Sequence, residues 1–155
     1  MEKQNNSRIK RLFPKYFENF TLPDGAKEEE IRVYRACKTK QCDKESFTPT
    51  FEEKNYTYQN EDEKNDPSTY SLSTFEKPKD VKRFAVTNSE YRKPHKIAVG
   101  ITSSECGVVQ RTRERTGKRT SHVDWWLYEG SKPYEHFQLI DDFTTYLEDY
   151  KKGEK

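Results

Sequence analysis

Ser121-His122-Val123-Asp124-Trp125-Trp126-Leu127-Tyr128 reads as an extended strand, and its two faces decide the fold. Successive side chains of a strand point to opposite sides, so Trp125 and Trp126 cannot serve one core. Val123, Trp125 and Leu127 form an apolar face suited to the interior. His122, Asp124 and Trp126 form a mixed face, on which Trp126 is expected to border a groove beside the acid. A strand of this kind belongs to a sheet with a polar, aromatic groove along one side, and that is where a site is expected.

The composition around this strand is hydrophilic. Only 30% of the 155 residues are hydrophobic and 36% are charged, while ten Tyr, nine Phe and two Trp supply nearly half of the apolar set. The core must therefore be thin and built largely from rings, each removing roughly 150–250 Å² from water. The length suits one domain over residues 1–155. With 29 basic against 27 acidic residues the net charge is +2, so a general affinity for nucleic acid does not follow from charge. Three cysteines and the lack of an apolar N-terminal run lead us to expect a reducing, cytoplasmic setting, and no window is long and apolar enough to span a membrane.

Outward from the tryptophans, Glu129-Gly130-Ser131-Lys132-Pro133 is a turn cluster, and Tyr134–Ile140 alternates as the partner strand. Phe143, Tyr146, Leu147 and Tyr150 mark a C-terminal helix, with 151–155 fraying. Upstream, Lys96–Ile101 and Cys106–Gln110 read as strands, and Pro78 opens a helix over 78–85 with Val81, Phe84 and Ala85 as its stripe. Tyr70–Phe75 and Ile31–Cys37 are further strands. Phe13, Phe17 and Phe20 share a helical face, and Phe47–Phe51 reads as extended. Residues 1–12 are expected to be flexible and 52–68, nearly devoid of hydrophobics, a mobile insertion. The fold expected is α+β: a mixed or mainly antiparallel sheet of about five or six strands with a few short flanking helices.

No short phosphate-binding or nucleophile-elbow motif occurs. Cys37 and Cys42 lack the usual zinc-knuckle spacing and no second pair exists, so no metal is expected. Two constellations carry function. Arg111, Arg113, Arg115, Lys118 and Arg119 form a basic run that, with exposed aromatics, suits a module binding nucleic acid or a protein partner. The second is an ordered series: Arg35 near the end of an early strand, Ser71, Ser73 and Thr74 directly before a helix, then His122-Val123-Asp124 on a later strand. Arginine provides a fork for a diphosphate, serine hydroxyls hold a ribose, an acid stabilises an oxocarbenium-like sugar, and aromatics stack nicotinamide.

This order resembles the ADP-ribosyltransferase superfamily of the Arg–Ser–Glu type, whose split sheet binds NAD in its cleft. The resemblance implies that the chain uses NAD, as a transferase with a macromolecular acceptor or as an NAD glycohydrolase, in the manner of a small bacterial toxin or phage-conflict effector. It assigns the diphosphate to Arg35, the Ser-Thr-Ser element to Ser71, Ser73 and Thr74, nicotinamide stacking to Trp126, the catalytic acid to Asp124 and its upstream partner to His122. The family's acid is normally Glu in a Glu-x-Glu or Gln-x-Glu pair. Here it is Asp, with Glu129 and Glu135 the only Glu nearby.

Overall fold

The computed structural model describes residues 12–53, 57, 60–88 and 95–153. Six strands form one antiparallel sheet in the order β4-β5-β2-β1-β3-β6: β1 Arg32–Cys37, β2 Leu72–Phe75, β3 Lys96–Ile101, β4 Gly107–Arg111, β5 His122–Leu127 and β6 Phe137–Leu139. Four helices accompany it: α1 Glu61–Asn65, α2 Pro78–Asn88, α3 Thr112–Thr116 and α4 Phe143–Gly153. This is the α+β architecture that the strand periodicity and the short helical stripes imply.

The sheet is unevenly joined. β1 pairs with β3 along its whole length, from Arg32 opposite Ile101 to Cys37 opposite Lys96, and β2 pairs with β5 throughout. Between β1 and β2 the register holds at Tyr34 opposite Phe75 alone. The sheet thus divides into β4-β5-β2 and β1-β3-β6, and Arg35 lies immediately beyond the one pair that joins them.

Both faces are covered. Register places Val33, Leu72, Val109, Val123, Trp125 and Leu127 on one face, where Ile31, Phe47 and Phe137 join them in the largest apolar cluster. The opposite face carries two separate patches. Over β1 and β3, Tyr34, Ala36, Phe75 and Ile97 pack against Val81 and Ala85 of α2, and the Tyr34 hydroxyl meets that of Tyr146 on α4 at 2.6 Å. Over β4 and β5, Trp126 and Val108 pack against Phe13, Tyr70 and the N-terminal aromatic segment. The polar residues of β2 and β5 lie between these patches.

This second patch corrects the reading of Trp126. Alternation does separate the two tryptophans, but both are 0% exposed. Rings from residues 13–20 cover Trp126, and its indole N–H donates to Pro67 O at 2.9 Å, so it is a core residue and borders no groove. The segment that covers it is a 3-10 turn, Lys15–Asn19, where the Phe spacing had suggested an α-helix, because Pro14 and Phe20 on either side are extended. Stacking replaces helical periodicity there, with Phe20 and Tyr70 centroids 4.2 Å apart.

Two further expectations change. Phe137–Leu139 pairs with β3 and not with the tryptophan strand, because Pro133–His136 forms a 3-10 turn that carries the chain to the other edge of the sheet. Phe47–Phe51 is not extended throughout, since Thr50–Glu52 is a 3-10 turn. Within 52–68, Asn60 caps α1 and Asp66 caps a turn over Pro67–Tyr70. Residues 54–56, 58 and 59, like 1–11, lie outside the described residues. At the other end α4 continues to Gly153.

The two halves of β6's turn press closely on β3. A Cβ at Gly100 would stand 2.2 Å from His136 O and 2.6 Å from the Phe137 ring, whereas one at Gly153 would meet nothing within 4 Å. Gly100→Ala is expected to lose about 1–3 kcal/mol, as overpacking does, and Gly153→Ala to lose nothing, with thermal unfolding of both proteins as the measurement.

Candidate functional site

The β4–β5 hairpin brings the site together. β4 ends at Arg111 and runs directly into α3, which Gly117 closes in the left-handed region at φ 70°. Thr112 and Arg115 stand three apart on this single turn and so share a face. That face looks onto β5, where alternation presents His122 and Asp124 on the same side as Ser73 of β2.

Asp124 is 0% exposed and receives four donors. Ser68 Oγ at 2.8 Å and Ser71 Oγ at 2.6 Å donate to Oδ1, while Thr112 Oγ1 at 2.7 Å and Arg115 Nη2 at 2.9 Å donate to Oδ2. Arg115 Nη2 also donates to Ser68 Oγ, and its Nη1 to Gln110 Oε1 at 2.6 Å. Burial alone would raise the carboxyl of Asp124. The neighbouring His122 and the hydroxyls of Ser71, Thr112 and Ser68 outweigh it and hold the group below its ordinary value.

His122 extends this network toward the split. Its Nδ1 lies 2.5 Å from Thr112 Oγ1 and its Nε2 2.9 Å from Ser73 Oγ. Burial lowers its pKa; Asp124 opposes the shift, Arg115 and Arg35 reinforce it, and Asp66 opposes it weakly. On the far side of the same residue, Ser73 O accepts from Arg35 Nη1 at 2.9 Å. A β2 carbonyl is thus satisfied by a side chain where the β1 ladder has parted. Arg35, Ser73, His122, Thr112 and Asp124 therefore form one connected path across the split.

Arg35 itself stands on the opposite face, 8% exposed, with Nε donating to Ser46 O at 3.0 Å. Its guanidinium has no carboxylate within ion-pair reach among the described residues. Burial pulls it below its ordinary value to about 10, with Cys37 and Glu53 opposing, and it stays charged at neutral pH. It forms part of the wall of a cavity of about 520 Å³ shared with Lys38, Thr39, Lys40, Glu45, Thr50, Glu53 and Phe84. Lys38 and Glu53 lie 3.6 Å apart in it.

Of the residues the sequence nominated, only Arg35 reaches this cavity. Neither it nor the two others, of about 390 Å³ each, is lined by Ser71, Ser73, Thr74, His122, Asp124 or Trp126. Thr74 is fully buried on the opposite face and donates to Val123 O. The basic run is divided: Arg111 bonds Glu76 and Glu29 and Arg115 holds Asp124, whereas Arg113, 3.7 Å from Glu76, is exposed together with Lys118 and Arg119. Among the described residues no cluster of His, Cys, Asp and Glu fits a metal ion, and the three cysteines are free. Sequence reasoning missed Thr112 and Ser68, and gave Arg115 to a partner-binding run where it turns inward to Asp124. It also missed Lys38-Thr39-Lys40, although this basic triplet follows the Arg35 strand directly.

Comparison with protein-family models, with curated proteins and with solved structures finds no match for this chain.

The lowered pKa of His122 has a definite sign. The unfolded chain takes up a proton near 6.5 while the folded site still resists it, so stability is fully present above 6.5 and falls as the pH drops below. The loss of Tm between pH 7 and pH 5 is expected to shrink in His122→Gln, read by thermal melts across that range; an unchanged loss would place its origin elsewhere.

Proposed function

We propose that the chain binds an anionic nucleotide of the NAD class at the split between β1 and β2, and that it cleaves or transfers the ADP-ribose portion. The observation that carries this reading is Arg35: a buried guanidinium without a carboxylate on it, at the wall of a cavity large enough for part of a nucleotide. Taking a cation out of water is costly unless an anion compensates. A diphosphate does so, and an arginine fork suits it.

The rest of the wall supports the same ligand. Lys38 and Lys40 extend the positive field, Thr39 and Thr50 offer hydroxyls, Glu45 and Glu53 offer acceptors for ribose hydroxyls, and Phe84 offers a ring for stacking. The resemblance supplies the chemistry: Arg35, Ser73, His122 and Asp124 follow in the order of the ADP-ribosyltransferases, on a sheet that divides beside Arg35.

One role is reassigned within this reading. Asp124 is neutralised by Arg115 and saturated by three hydroxyls, so it positions Thr112 and His122 and does not face the sugar. Glu53 shares the cavity wall with Arg35, and its carboxylate is placed to stabilise positive charge developing on the ribose as nicotinamide leaves. Arg35 holds the diphosphate, Lys38 holds Glu53 in place, and Phe84 screens the sugar from water.

Calorimetric titration of NAD and ADP is expected to show binding that weakens by about 10- to 100-fold in Arg35→Gln, the loss of one charge-assisted contact of roughly 1.5–3 kcal/mol. The double variant Lys38→Gln with Lys40→Gln, half-buried and exposed respectively, gives a smaller loss. Glu53→Gln is expected to keep binding and lose nicotinamide release, followed by chromatography. Equal affinity of Arg35→Gln and the parent chain, both folded by circular dichroism, would remove the reading.

A further inference from the structure

Proton bookkeeping along the path from Asp124 to Ser73 has one solution. Asp124 is ionised and only accepts, so the single hydrogen of Thr112 Oγ1 is committed to Oδ2 at 2.7 Å. Thr112 Oγ1 must then accept at its 2.5 Å contact with His122, which puts the imidazole hydrogen on Nδ1. Nε2 is left with its lone pair, and its 2.9 Å contact with Ser73 requires Ser73 Oγ–H to donate. Every link points one way: serine to imidazole, imidazole to threonine, threonine to carboxylate. Arg115, fixed by Gln110 and Ser68, keeps Asp124 in place. Ser71, by contrast, gives its hydrogen straight to Asp124 at 2.6 Å and has no base beside it. Ser73 is half-buried and the His122 side chain is 17% exposed, so the pair is reachable from outside.

We propose that Ser73 is a base-activated nucleophile, with His122 as general base and Thr112 relaying Asp124 to it, acting on carboxylic esters that carry a negative charge. The charge preference follows from the field of Arg35, which stands on the other face of the sheet with Nη1 2.9 Å from Ser73 O and is felt at His122. Ser73 Oγ attacks the ester carbonyl carbon as its proton passes to His122 Nε2. The tetrahedral adduct breaks its bond to the alcohol oxygen, which takes that proton and leaves as the alcohol. Water then attacks the acyl-Ser73 carbonyl, giving its proton to Nε2. The bond to Ser73 Oγ breaks, and Oγ recovers the proton as the acid departs. This activity is separate from the nucleotide reading and is measured with no nucleotide present.

The full chain treated with diisopropyl fluorophosphate tests it, because the reagent phosphorylates only activated hydroxyls with loss of fluoride. A single adduct on Ser73 is expected by peptide mass mapping. Its rate should fall at least 100-fold in His122→Gln and about 10-fold in Thr112→Val. The unaltered chain offers a readout that needs no variant to fold: labelling should rise with pH through a midpoint below 6.5, as the free imidazole appears. Release of 4-nitrophenolate should be faster from its hemisuccinate than from its butyrate ester. Absence of a Ser73 adduct, a flat pH profile, or unchanged labelling in folded His122→Gln overturns the proposal, and preference for the butyrate overturns the substrate class.

Discussion

A carboxylate with no contact with water must be matched donor by donor, and in this protein the matching of Asp124 draws four donors from two separate parts of the chain. Ser68 comes from the turn before β2, Ser71 from the residue entering it, Thr112 and Arg115 from α3. Withdrawing any one leaves charge or lone pairs unsatisfied in a low-dielectric interior, which costs more than the same contact is worth at the surface. The β4–β5 hairpin and the turn over Pro67–Tyr70 are thereby locked to the same carboxylate, one through Oδ2 and the other through Oδ1. The apolar patches around Trp126 and around Tyr34 can then sit on one face of the sheet without merging, because the polar cluster keeps them apart.

How the sheet would form was legible from short-range pattern. The β-branched and aromatic residues of 31–37, 70–75, 96–101 and 122–127 are a local signal, and a strand lies within each run. The clean division of Val123, Trp125 and Leu127 from His122, Asp124 and Trp126 is a geometric necessity once the strand is extended. What alternation cannot reveal is the layer that lands on the second face. Trp126 looked like a groove residue because the segment that buries it lies more than a hundred residues earlier and carries no helical period, only rings.

The site was legible to a lesser degree, for the same reason. Residue type and order led to Arg35, Ser73, His122 and Asp124; a chain of hydrogen bonds through Thr112 links them, with Arg35 on the other face of the sheet from the rest. Thr112 and Arg115 were read as part of a solvated basic run, since nothing local distinguishes an arginine that folds back onto an acid from one that points to water. Sequence spacing of nine residues across a hairpin is uninformative until the turn is known; Gly117 and the helical turn before it decide that Arg115 arrives at Asp124. The cavity is harder still, being made from the end of β1, the loop after it and α2.

The single register pair between β1 and β2 has a mechanical meaning. Two three-stranded halves joined by Tyr34 opposite Phe75, with a side chain of Arg35 bridging the gap beyond, are connected as by a pin and a strut. Rotation about the pin changes the width of the gap on the Arg35 side while the well-paired ladders of each half stay intact, and the strut resists opening through one hydrogen bond to Ser73. A load applied to the guanidinium is thus felt first at Ser73, the residue that links β2 to the imidazole of β5.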